Sequence, residues 1–254
     1  MATQLTVTGV EGIPLVRSGD DLAGVLIAAM EAGGTRPRDD DIVVVAQKIV
    51  SKAEGRFLDL ATLEPSDEAR ELAKETDKDP RQVEAILRES NAVVRSKPGV
   101  IVVEQRLGLI MANAGIDRSN VEGSKEGDMV LLLPEDPDAS AARLKQRFDG
   151  HWDTDVGVIV ADSVGRPWRL GTVGIAIGIA GVAALDDRRG QPDIFNRPLE
   201  VTVTGHADAI AAAAVLVMGE TTERIPAAIV SGVARGEGAT ARDMLRPAAE
   251  DMFR

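Results

Sequence analysis

The densest chemistry in the chain lies where the apolar run 156–161 gives way to Asp162 and Ser163 side by side. Gly165 then allows a turn, and Arg166, Trp168 and Arg169 follow at once. A carboxylate next to a hydroxyl can hold a hard cation, and guanidiniums grip phosphate or carboxylate oxygens in pairs. Taken singly, each residue is ordinary: strand ends carry solvated acids, an anchoring Trp and surface arginines. The whole set in one short stretch points to function.

Asp162 alone cannot hold a hard cation. A second oxygen source is Asn113-Ala-Gly-Ile-Asp-Arg-Ser-Asn120, where Gly115 bends the chain and Asp117, Ser119 and Asn120 put three oxygen-bearing side chains in one turn. An Asx-type turn explains the same residues without any ligand. A third group, Gln47, Lys48, Ser51 and Lys52, follows the apolar run Ile42 to Ala46. On a helix, Lys48 and Lys52 would share a face, and the helix start would aim free N–H groups at whatever lies beyond the strand. Solvated lysines and phosphate-binding lysines fit this spacing equally well.

Composition limits the chemistry further. The 254 residues include no cysteine and only two histidines, His151 and His206. Disulfides, thiolate catalysis and zinc–thiolate sites are excluded, and a Ser-His-Asp triad has only two candidate bases. Any bound metal is expected on oxygen ligands, which selects a magnesium- or manganese-like ion. The net charge of −12 argues against nucleic acid as a partner. An anionic substrate then needs a local basic pocket or bridging cations. No apolar run reaches the roughly 18 residues of a membrane span. The first residues, Met1 to Thr8, lack a signal peptide's basic start and apolar core, so the cytoplasm is the expected location and no membrane is involved.

The elements that must position these groups can be read from periodicity and punctuation. Leu5 and Val7 mark a short strand, and Gly12-Ile-Pro-Leu-Val16 a stiff loop. Leu22, Val25, Leu26 and Ala29 predict a helix capped by Ser18 or Asp20 and ended by Gly33-Gly34. Asp39-Asp40-Asp41 reads as a solvated turn before the strand Ile42 to Ala46. Ser66 caps a polar helix to about Asp77, and Pro80 starts another. Strands are expected at Val100 to Glu104, Met129 to Leu133, Leu199 to Val203 and Ile225 to Val230, with Leu107 to Ala112 as a hairpin partner of the first of these. Asp136 caps a helix with Pro137 at its first position, running through Phe148. Gly171, Gly174, Gly178 and Gly181 suit either close backbone packing or a glycine-lined ligand wall. His206 and Asp208 open an alanine-rich helix to Met218, closed by Gly219, and Thr240 with Asp243 predicts a capping box for a last helix. No Walker loop exists, and the G-x-G-x-x-A match at Gly236 to Ala241 has only thirteen residues after it, too few for a βαβ unit.

Several long segments, in order and at natural spacings, resemble the coenzyme F420:L-glutamate ligase family. They are Gly12 to Leu15, Val43 to Arg56, Ala112 to Asn120, Leu131 to Ser140, Asp162 to Gly171 and Met218-Gly219. The resemblance runs from about residue 8 to the C-terminus, and it is to a stand-alone form, without the C-terminal flavin-binding domain of some relatives. It implies an α+β, two-domain ligase fold with mixed and antiparallel sheets, unrelated to Rossmann folds, in an intertwined homodimer. Approximate subdomains would be 1–80 with 172–254, and 81–171. It implies a GTP-dependent ligase that adds L-glutamate to the lactyl carboxylate of the deazaflavin precursor through an acyl phosphate, then extends the chain by γ-linkages. Two divalent magnesium or manganese ions per site and a potassium ion are implied as well.

Carried over by position, Asp117 and Asp162 match carboxylate ligands of one divalent ion, and Ser163 a ligand of a second. Ile13, Pro14, Leu15, Val16, Gln47, Lys52 and Asn120 match nucleotide contacts. Met218, Gly219 and Glu220 resemble a further nucleotide-binding segment, with the Gly219 carbonyl as an additional metal donor. Arg166 and Arg169 stand with Asp117 and Asp162 as candidate catalytic residues, and Trp168 is assigned to packing. Thr172, where the family usually has Gln, and His206 depart from the pattern. Two other readings use the same acids: a nucleotide- and metal-binding module without catalysis, and a metal-dependent phosphohydrolase.

Overall fold

The computed structural model describes residues 4–119, 121, 128–236 and 238–252. In chain order the elements are β1 (Thr6–Gly9), α1 (Leu22–Ala32), β2 (Ile42–Ala46), α2 (Gln47–Ala53), β3 (Phe57–Asp59), α3 (Asp67–Thr76), α4 (Pro80–Arg88), β4 (Ser90–Lys97), β5 (Val100–Gln105) and β6 (Ile110–Ala112). There follow β7 (Met129–Leu131), α5 (Pro137–Trp152), β8 (Gly157–Arg166), β9 (Arg169–Ala180), β10 (Leu185–Asp187), β11 (Val203–Gly205), α6 (His206–Met218) and β12 (Ala227–Ser231).

A five-stranded sheet in the order β1-β12-β2-β8-β9 dominates the fold. β2 and β8 run parallel, and every other neighbouring pair is antiparallel. Such a mixed sheet, with several smaller ones beside it, is the expected α+β class. The apolar run of β2 is buried on both faces, and alternate residues face different cores. Val43 and Val45 join Val158 and Val160 against Leu26 and Met30 of α1 and Phe148 and Trp152 of α5. Ile42 and Val44 join Ile159 and Ala161 against Ala207, Ile210, Ala211 and Ala214 of α6. Helices therefore cover both faces of the sheet, with the alanine-rich one packed directly on it.

Smaller sheets lie in the middle of the chain: β4-β5-β6, and the β3–β7 pair. The first shares a core with α3 and α4 through Ala69, Val83, Ile86, Ile101 and Val103. Ser66 accepts from the Ala69 N–H and Asp136 from Ala139, so two helices start where their capping residues foretell; the third starts at Pro80 as expected, with Asp79 accepting from the Arg81 N–H as its cap. For α1 the cap is Asp21, not Ser18 or Asp20, because only Asp21 reaches the Gly24 N–H; Asp20 accepts from Arg17 instead.

Other differences are larger. The strand expected to end at Asp162 continues to Arg166 and folds back as β9, twelve residues long. Two glycines of β9, Gly174 and Gly178, serve packing, whereas Gly171 faces open space at a positive φ of 86°. A methyl at Gly174 would stand 2.7 Å from Val215 and 2.9 Å from the Ala211 carbonyl of α6, and one at Gly178 would fall inside Pro137 at the start of α5. The strand expected at Leu199 to Val203 is displaced to β11, which pairs with β10. The Thr240–Asp243 capping box forms, but it opens only a single 3-10 turn, Ala241–Met244. Among the described residues no helix is long and apolar enough to cross a membrane.

Candidate active site

The parallel pair β2–β8 ends in register, with Ala46 opposite Ala161. Gln47, the first residue of α2, and Asp162, still in β8 and paired there with Ile175 of β9, therefore stand side by side where the parallel pairing ends, the place at which a crevice naturally opens. Such a crevice is present as a cavity of about 870 Å3. The loop before α1 supplies Ile13, Pro14, Leu15 and Val16 to its wall; α2 supplies Gln47, Lys48 and Lys52. Asp117 and Ser119 come from the loop after β6, Asp162 and Ser163 from β8, and Met218, Gly219 and Glu220 from the end of α6. Segments more than 200 residues apart in sequence thus meet around one space.

Asp117 is held in place before its side chain does anything. Its N–H and carbonyl pair with Leu131 at 2.9 and 2.8 Å. Its Oδ1 accepts from the Ser119 N–H at 2.9 Å and the Ser119 hydroxyl at 2.7 Å, and its Oδ2 pairs with the Lys48 ammonium at 2.6 Å. Burial alone would push this carboxyl up, but Lys48 and the Ser119 hydrogen bonds outweigh it and leave Asp117 below the usual carboxylate range.

Asp162 is in the opposite position. Its Oδ1 accepts from the Ser163 N–H at 2.8 Å. Burial, reinforced by the charges of Asp117 and Glu220, pushes it up to about 6 despite that hydrogen bond and Lys48. The Ser163 hydroxyl donates to Glu220 Oε1 at 2.6 Å, which ties β8 to the loop after α6. Gln47 is buried, with its Oε1 accepting from Ser51 one turn on at 3.0 Å.

The donor set suits a hard divalent ion. All its side-chain donors are oxygens, and among the described residues the half-buried Asp162 carboxyl has no direct ion pair such as Asp117 makes with Lys48. Among the described residues no three His, Asp or Glu side chains are already gathered as a metal cage. The carboxylates lean instead on Lys48, Ser119 and Ser163.

Asn120 lies outside the described residues. Arg166 and Arg169 are not brought to the cavity. They lie exposed at the β8–β9 hairpin tip, where Arg166 donates to the Leu170 carbonyl at 3.5 Å. Trp168, expected to pack, is 81% exposed beside the 99% exposed Leu170. The sequence reading missed the loop after Glu220, where Thr221, Thr222, Glu223 and Arg224 also line the cavity. The only signal was a polar run between the helix-ending Gly219 and the next strand, and loops of that composition are common. Lys48, evenly balanced from spacing alone, proves to be the partner of Asp117.

The crevice thus sets two half-buried carboxylates beside a parallel strand pair, with lysines on one wall. The sequence profile of the F420-0:gamma-glutamyl ligase family matches residues 12–232, and the chain belongs to that family. It is 44% identical over 254 residues to the coenzyme F420:L-glutamate ligase of Methanothermobacter thermautotrophicus, covering 98% of this chain and 99% of the relative. The proteins of the same name from Methanopyrus kandleri and Archaeoglobus fulgidus are each 44% identical, covering 96% of this chain and 97% and 94% of theirs.

Proposed function

We propose that this chain is a GTP-dependent ligase that adds L-glutamate to the lactyl carboxylate of the coenzyme F420 precursor and extends it by γ-glutamyl linkages. Membership of the family and near full-length identity to the named ligases support glutamate ligation in F420 biosynthesis. The observation that supports the mechanistic part is the cavity lined jointly by the 13–16 loop, Gln47, Lys52, Asp117, Asp162, Ser163 and residues 218–220.

In this reading a precursor carboxylate oxygen attacks the γ-phosphorus of GTP, the bond to the β-phosphate oxygen breaks, and GDP leaves. The glutamate amine then attacks the acyl carbon of the resulting acyl phosphate, phosphate departs with the bonding pair, and the nitrogen sheds one proton. Asp117 and Asp162 would hold one divalent ion, and Ser163 a second. Glu220, hydrogen-bonded to Ser163, is the natural carboxylate to complete the second set, with the Gly219 carbonyl beside it. Magnesium or manganese bound there supplies charge neutralisation as oxygens develop charge in phosphoryl transfer. Lys52 and the 13–16 loop would face the nucleotide, and potassium would complete the cation requirement. Ser119 fixes Asp117, and the Ser163–Glu220 contact holds the loop after α6 over the cavity.

The same reading makes the protein a cytoplasmic homodimer. The exposure of Trp168, Leu170, Phe195 and Leu216, each at least 70% accessible, supports a second copy covering them.

Incubation of the purified chain with GTP, manganese or magnesium, L-glutamate and the unglutamylated precursor, followed by product mass, tests the reaction. Products heavier by glutamyl residues, with GDP and phosphate formed alongside, are the expected result. Phosphate release without glutamylation indicates the hydrolase instead, and nucleotide binding without turnover the non-catalytic module.

A further inference from the structure

The Lys48 ammonium has three N–H donors, and three oxygens receive them: Asp117 Oδ2 at 2.6 Å, the Ser119 carbonyl at 3.2 Å and the Ser119 hydroxyl at 3.0 Å. Ser119 in turn donates to Asp117 Oδ1 through both its N–H and its hydroxyl. Lys48, Asp117 and Ser119 therefore form a closed ring of hydrogen bonds on the wall of the cavity, with the lysine and aspartate side chains each 25% exposed. The ammonium thus occupies one of the two carboxylate oxygens through which Asp117 could hold a cation. Lys48 is also on α2, one turn before Lys52, which lines the same cavity. Its flexible four-carbon stem can therefore move the charge from the carboxylates towards an anion in that space without any backbone change.

We propose that Lys48 is an internal counter-cation that competes with the divalent ion for Asp117 and, once displaced, serves the phosphates of the nucleotide, so that one side chain couples metal binding to nucleotide binding. The inference rests on the metal reading of Asp117 and Asp162 given above. Lys48 has two roles in this scheme, positioning Asp117 before the metal binds and contacting the nucleotide afterwards. It keeps Asp117 compensated and aimed while the metal is absent, and it makes each ligand favour the other, since whichever binds first weakens the Lys48–Asp117 pair.

The test is a Mn2+ titration of the full chain, with free ion counted by electron paramagnetic resonance, with and without GDP and against a GDP–Mn2+ blank. Lys48→Met and Lys48→Gln remove the charge, Lys48→Arg keeps it, and thermal melts run in parallel. In the wild type, GDP should tighten Mn2+ binding on the order of tenfold. Without GDP, the two neutral variants should bind Mn2+ about tenfold tighter than the wild type, because the competitor is gone, and GDP should then add little. Lys48→Arg should stay with the wild type. Neutral variants that bind Mn2+ equally or more weakly than the wild type overturn the proposal and leave Lys48 as a prop for the Ser119 turn. Lys48→Arg behaving like the neutral variants overturns it too. A wild type that binds no Mn2+ in either condition overturns the metal reading itself, a separate and recognisable failure. Two neutral variants of different polarity keep the decision from resting on one that folds badly.

Discussion

Asp117 and Asp162 are the same residue type at the same cavity, yet their surroundings drive them apart. Asp117 has a lysine and two hydrogen bonds from Ser119 and stays ionised. Asp162 has one backbone N–H, buried surroundings and two like charges for company, and titrates near 6. A carboxyl whose folded value is raised contributes stability below its ordinary value, near 4, and that contribution is lost as pH climbs through about 6. At neutral pH the metal-free protein therefore bears the cost of ionising Asp162. Asp162→Asn should abolish glutamylation. In chelator at pH 7.5 it should also raise unfolding stability by up to about 3 kcal/mol, and by little at pH 4. Urea melts of both proteins at the two pH values measure this. An equal gap at both would show that ionisation is not what the site pays for.

At the level of elements, the unexpected piece is the β8–β9 hairpin. β8 carries Asp162 and Ser163 into the cavity, and β9 pairs with β8 from Val158–Ala180 to the tip, with register shifts between Val160 and Ala161 and between Gly165 and Arg166. β9 is an edge strand of the large sheet, and helices dock on it where side chains are missing. α6 lies over Gly174 and the start of α5 over Gly178. The N–H of Ile179 is taken by Asp138 and that of Ala176 by Asp208, so carboxylates of the two helices satisfy groups that another strand would otherwise pair. Gly178→Ala places a methyl inside Pro137 and should cost about 1–3 kcal/mol through overpacking, read as a lower urea midpoint. Gly165→Ala, whose new methyl would meet nothing within 4 Å, should change the midpoint little. Equal losses in the two variants would locate the effect in strand glycines generally, not in the α5 contact. The four-residue glycine spacing was visible in sequence, but a ligand wall and a helix contact need the same absent side chain, so only the neighbours decide.

At the scale of the whole molecule, Arg235 ties distant parts of the sheet together. It pairs with Asp155 at 2.7 Å and Asp40 at 3.2 Å, and Lys145 meets Asp155 at 2.6 Å. The loop after β12, the turn before β2 and the entry to β8 converge on one guanidinium that is 13% exposed. Hydrogen bonds from Arg235 and then Lys145 hold Asp155 well below the usual carboxylate range. A depressed carboxyl stabilises the fold above its ordinary value, near 4, and that support is lost as pH falls below it. Asp155 itself is largely exposed, so solvent weakens the effect. Arg235→Ala should lower the melting temperature at pH 7 and narrow the fall seen between pH 4 and pH 2. Parallel acid limbs in the two proteins would contradict this account.

Much of the site was legible in residue order. The pairing of Asp162 with Ser163, the Asp117 turn, the lysines after β2 and the stiff 13–16 loop are local patterns whose chemistry follows from residue type. The caps at Ser66 and Asp136 were legible for the same reason, since a capping side chain acts within three residues. What sequence spacing could not supply is distance. Lys48 became the partner of Asp117, and Glu220 that of Ser163, only when strands far apart in the chain were paired. By itself the sequence determined the family, the absence of thiolate chemistry and the start of most helices, because these depend on residue identity and near neighbours. The tertiary structure alone decided that Lys48 pairs directly with Asp117 and not with Asp162, that Trp168 and the hairpin arginines face outward, and that Gly174 and Gly178 serve packing. Burial, register and electrostatic coupling belong to residues brought together through space, and a linear order does not carry them.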